Sequence, residues 1–100
     1  LDVFWAAIGG WDPVKTLEKL GRRTGQVHLK DLKAGTPIIY DESQVPADAF
    51  QEVGDGVIDM DAVMRVATAH GVVQFHVEQD QSPDPLASIR QSRRYASKWW

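Results

Sequence analysis

Apolar residues along this chain fall into short runs that switch between two spacings. Residues 1–8 form an almost unbroken apolar run closed by Gly9-Gly10, which predicts a buried strand. Asp12-Pro13 then supplies a helix cap and a proline for the first helical position. Val14, Leu17 and Leu20 follow on one helical face, with Gly21 as the stop. Residues 26–29 predict a second strand running into Lys30-Asp31. Asp59 caps a second helix that carries Val63, Met64 and Ala67 as far as His70, and Gly71 ends it. Residues 72–78 predict a third strand, and Asp84-Pro85 starts a last helix running towards Trp99-Trp100.

Strands alternating with helices predict an α/β fold with a parallel sheet and right-handed crossovers. The alternation inside the strands narrows this. Gln74, His76 and Glu78 share one face of the third strand, against Val73, Phe75 and Val77 on the other. Gln26, His28 and Lys30 likewise oppose Val27 and Leu29. A doubly wound sheet buries both faces, whereas the mouth of a barrel presents polar side chains to ligand. The expected architecture is therefore three consecutive parallel β/α units of a barrel. Residues 33–56 interrupt the pattern with Pro37, Pro46 and Gly54-Asp55-Gly56. Ile38-Ile39-Tyr40 and Phe50 in that stretch predict that it packs on the fold.

Composition changes this picture in a few places. With 43% hydrophobic and 25% charged residues the chain is of ordinary globular make-up. A net charge of −3 supplies no basic surface for nucleic acid. The lack of cysteine rules out disulfides, thiolate catalysis and cysteine-ligated zinc. No apolar run reaches membrane-spanning length, so no membrane partner is expected. The chain opens directly in its first apolar run, which suggests a cut inside a sheet. The expected compartment is the cytoplasm.

The candidate chemistry sits at or near the strand ends, where parallel α/β folds build their sites. Asp2, His28 and Glu78 make a mixed oxygen and nitrogen donor set suited to Mn, Mg, Co or Zn. The competing structural roles are a hydrogen-bonded strand histidine for His28 and an ion pair with Lys30 for Glu78. Asp31 and Asp80 fit either groups that orient the histidine or lysine, or loop caps. His70 and His76 read as structural.

Four elements taken in order resemble a known family. They are Asp2-x-x-Trp5, Val27-His28-Leu29-Lys30-Asp31, Val53-Gly54-Asp55-Gly56-Val57-Ile58-Asp59 and Val77-Glu78-Gln79-Asp80. Together they resemble the C-terminal part of the sugar phosphate isomerase/epimerase family, the xylose isomerase-like TIM barrels. The resemblance implies that residues 1–100 are the last three β/α units of a partial TIM (β/α)8 barrel, incomplete at the N-terminus. It implies one divalent metal ion held by Asp2, His28 and Glu78, with a further glutamate upstream of this chain. Glu78 and Lys30 become the catalytic residues, and Trp5, Lys30, Gly54 and Gly56 the substrate-binding ones.

The implied reaction is proton transfer next to a carbonyl through an enediolate-like intermediate, on a sugar or sugar phosphate. The implied enzyme is an isomerase or epimerase, active as the intact barrel and inactive as this piece alone, and compatible with a homo-oligomer. The chain departs from the pattern in three places, one of them a long insert from Thr36 to Ala49. Trp5 stands where many epimerases carry histidine, and Lys33-Ala34-Gly35 where they carry arginine. Two rivals remain: an endonuclease IV-like metal phosphodiesterase on the same barrel, and a non-catalytic fragment or binding module.

Overall fold

The computed structural model describes residues 1–100. The chain forms four helices: α1 (Val3–Ile8), α2 (Pro13–Leu20), α3 (Met60–Ala69) and α4 (Pro85–Ala96). Its strands are β1 (Val27–Leu29), β2 (Asp31–Leu32), β3 (Phe50–Gln51) and β4 (Phe75–Val77). The aspartates identified as caps do that work. Asp12 accepts from the Val14 and Lys15 amides, Asp59 from Ala62, and Asp84 from Ala87.

The sheet is not the predicted one. β1 and β4 pair in parallel, with Val27 opposite Phe75, His28 opposite His76 and Leu29 opposite Val77. β2 and β3 form a separate antiparallel pair, Asp31 opposite Gln51 and Leu32 opposite Phe50. Two parallel strands and a small antiparallel pair replace the expected run of three parallel β/α units, so the chain does not form a barrel segment of that kind. The difference starts at residues 1–8. Asp2 turns its Oδ1 onto the Trp5 amide at 3.0 Å and caps a helix where a strand was expected. Val3, Phe4 and Ile8 then face inward from one short helix that also contains Ala6 and Ala7. Only Asp2 keeps a sheet contact, a single parallel bridge to His28. The third strand is also shorter than predicted. Val72 is buried against the core before the strand begins, and Val73 is 92% exposed.

Two apolar clusters hold the molecule together. The larger joins β1, α2 and α3 through residues such as Val27, Leu29, Leu17 and Val63. The smaller joins α1 to the β2–β3 pair, with the Phe4 and Phe50 rings stacked at 4.4 Å between centroids. The stretch 33–56 is thereby tied down through Phe50 and Ile39, while Ile38 and Tyr40, also expected to pack, are exposed. Ile39 donates to the Ile8 carbonyl at 3.0 Å and Lys33 to Ala49 at 3.0 Å. Helix α4 docks through a buried stripe of Ser88, Ser92 and Ala96. Ser92 Oγ accepts from the Val53 amide at 3.0 Å, and Ser88 Oγ donates to Glu52 at 2.6 Å.

Asp31 organises the turn that follows β3. It is fully buried. Its Oδ1 accepts from the Leu32 and Ile58 amides at 2.9 and 3.1 Å, and its Oδ2 from Gly54 at 2.9 Å. Gly56 lies so close that a Cβ there would collide with this carboxylate. Gly54 adopts a φ of 98° and has the Tyr95 ring against its Cα.

Candidate metal centre

β1 lies between the bridge residue Asp2 and strand β4, so three backbone segments deliver side chains to one row. His28 stands in the middle. Two-residue alternation puts Lys30 on the same face just past the end of β1, and Glu78 just past the end of β4. His28 Nδ1 lies 2.8 Å from Glu78 Oε2 and 3.7 Å from Asp2 Oδ2. One ligand atom from each of Asp2, His28 and Glu78 lies within 4.8 Å of the others.

Lys30 occupies the floor of this row. Its side chain is 3% exposed, and its Nζ lies 3.0 Å from Asp2 Oδ2, 3.1 Å from Glu78 Oε2 and 2.9 Å from Asp80 Oδ2. Burial works to lower its pKa. Hydrogen bonds to Asp80, Asp2 and Glu78 outweigh that, so the pKa is raised and the ammonium is held charged. For Glu78 burial works to raise the pKa, and Lys30 followed by His28 lowers it further than burial lifts it. Glu78 is 41% exposed and engages both partners through Oε2, so its Oε1 is not used in either contact.

The donor set fits a divalent ion. Ligands about 2.1 Å from such an ion sit roughly 3–4 Å from one another, and the three donors, all within 4.8 Å of one another, need only small shifts to reach that spacing. Their chemistry, two carboxylates and an imidazole, suits Mn, Mg, Co or Zn and leaves positions for water or substrate. Three carboxylates also converge on a single ammonium, a surplus of negative charge that favours a further cation.

Of the residues singled out in the sequence, Asp2, His28, Lys30 and Glu78 meet in this row. Trp5 borders it, with Lys30 Nζ 5.6 Å from its ring centroid. Gly54 and Gly56 lie elsewhere, around the Asp31 carboxylate. Asp80, treated in the sequence as a supporting group or loop cap, is a full member through Lys30. The sequence carried only a weak signal for it, since Asp80 lies two residues past Glu78 but in the bend beyond β4.

No protein-family model, curated protein or solved structure matches the chain.

Proposed function

We propose that Asp2, His28 and Glu78 hold one divalent metal ion in the site of a sugar or sugar-phosphate isomerase or epimerase. The observation that carries the proposal is the meeting of these three donor atoms from three segments within 4.8 Å. The resemblance of the surrounding sequence elements to the sugar phosphate isomerase/epimerase family supports the choice of reaction. When bound, the ion supplies Lewis-acid polarisation of the carbonyl beside the reacting carbon.

The chain's own residues supply the rest. Glu78 is the proton acceptor, because it is half-exposed, ionised by its neighbours and uses only Oε2 in contacting them. Lys30 is a positioning residue that fixes Asp2 Oδ2 and Glu78 Oε2 at 3.0 and 3.1 Å. Asp80 anchors Lys30 from the other side at 2.9 Å. Trp5 walls the approach.

The deciding experiment measures metal content, and hydrogen exchange with solvent at the carbon next to a ketose carbonyl, for the full-length protein and for its Glu78→Gln variant. Bound metal, with exchange lost in the variant and the fold kept, supports the proposal. Unchanged exchange in the variant removes Glu78 from the mechanism.

One observation favours a second reading. Lys30 already links Asp2, Glu78 and Asp80 with distances of 2.9–3.1 Å, so the row is also a closed ion-pair network that could serve only to join strand ends. Calorimetric titration with Mn²⁺ separates the two, since a purely structural network takes up no ion.

A further inference from the structure

Beside the ion row lies an open cleft of about 350 Å³. That is at the small end of ligand clefts, which run from about 300 to 1,000 Å³. Trp5 and Asp80 belong to both row and cleft, since each also contacts Lys30. The stretch 33–56 builds the opposite wall with Glu42, Val45 and Ala47. Phe50 closes the apolar side, its ring 5.8 Å from that of Trp5 and nearly perpendicular to it.

This lining is two-sided. Trp5, backed by the buried ring of Phe50, offers aromatic surface, which suits the C–H face of a pyranose or an open-chain sugar. Glu42 and Asp80 offer carboxylate oxygens, which accept hydrogen bonds from hydroxyl groups. The same carboxylates repel a phosphate dianion. The cation nearest to hand, Lys30, is bound by three carboxylates. One divalent ion in the row would balance the remaining negative charge without creating a positive surplus. Lys33 is paired with Asp48 at 2.5 Å.

We infer that the site takes an unphosphorylated polyhydroxy ketose or aldose, in preference to its phosphate ester. The inference rests on the isomerase/epimerase reading above and adds its substrate class. Glu42 is the specificity residue in this arrangement. It is exposed, stands on a short helical turn (Glu42–Gln44) and faces the cleft, so changing it leaves the core alone.

The test is a panel of ketopentoses and ketohexoses, each free and as its terminal phosphate, incubated with the full-length protein and Mn²⁺ in heavy water. Carbon-bound hydrogen exchange is followed by NMR. The expected result is a kcat/KM at least about tenfold higher for the free sugars. Glu42→Lys should shift the ratio towards the phosphates while the far-UV spectrum stays unchanged. Equal or faster exchange of the phosphates by the unmodified protein overturns the inference and leaves the isomerase/epimerase reading standing. So does a Glu42→Lys variant with an unaltered ratio. Absence of exchange across the whole panel, with metal bound, overturns the isomerase/epimerase reading and this inference with it.

Discussion

His28 Nδ1 and Glu78 Oε2 meet at 2.8 Å across a sequence separation of 50 residues. The parallel register explains the meeting. His28 stands opposite His76, and Glu78 is the next residue along that strand to point the same way. Glu78 therefore reaches His28 on a diagonal, and Lys30 closes the other side of the same oxygen. Replacing Glu78 by Gln keeps the shape and removes the charge. The expected outcome is a loss of carbon-bound hydrogen exchange of about 10²–10⁴-fold, the range for a positioned acid–base group. Metal affinity should fall as well. Because Glu78 is half-exposed, circular dichroism and the melting temperature should change little.

Lys30→Met gives the opposite balance. The substitution leaves Asp2, Glu78 and Asp80 facing one another without their shared ammonium. Losing one partner of a fully buried pair costs about 3–5 kcal/mol. Here the carboxylates are partly exposed, so about 2–3 kcal/mol is expected once solvent screening is allowed for. Added Mn²⁺ should recover more of the melting temperature in the variant than in the unmodified protein, because the ion then takes over charge balancing. Chelator should widen the gap. Differential scanning calorimetry with and without Mn²⁺ checks both, and equal metal response in the two proteins would count against a cation site in the row.

The polar row was legible in the sequence because strand alternation is local. His28 with Lys30, and His76 with Glu78, follow from counting by two along segments that are indeed extended. Asp2 was legible as a candidate neighbour of His28 and Glu78, but its backbone was not. A short apolar run fits a buried strand or a buried helix equally, and only the capping oxygen of Asp2 on the Trp5 amide decides for the helix. With that strand gone, the barrel order lost its first unit. The antiparallel pairing of Asp31 and Leu32 with Gln51 and Phe50 was illegible for a different reason. Its partners are joined by a connection too long for turn chemistry to signal. Asp31 shows the same limit, since two of its three amide donors, Gly54 and Ile58, lie 23 and 27 residues away.

Asp31→Asn tests that buried carboxylate directly. Asparagine has one acceptor oxygen and one amide donor, so at least one of the three backbone N–H groups would face another N–H. A lost charge-assisted bond and a buried unsatisfied donor each cost about 1–3 kcal/mol, so the expected loss is about 2–4 kcal/mol. Urea denaturation measures the total. Amide exchange locates it, with Gly54 and Ile58 losing protection while α2 keeps its own.

The last prediction concerns acid. Asp61 on α3 accepts from Lys98 Nζ and Trp99 Nε1, each at 3.0 Å, and so fastens the end of the chain to that helix. Lys98 first and Trp99 second hold its carboxyl below the usual carboxylate range. A carboxyl with a depressed folded-state pKa contributes stability above its unfolded value and loses it as pH falls through the folded one. The tether is therefore intact at neutral pH and released in acid, below the pH at which an ordinary aspartate titrates. Lys98 is shifted upward by the same contact, so the pair also weakens at the alkaline end, as pH rises through the raised lysine value. Trp99 reports the release. Its indole N–H bond to Asp61 and its edge contact with Tyr95 at 5.6 Å should both loosen, changing its emission. The comparison of intact protein with Trp99→Phe isolates that signal from the other tryptophans. Asp61→Asn should remove the acid transition in Trp99 emission while leaving global unfolding in place. An acid transition that survives in Asp61→Asn would assign it to a different carboxylate.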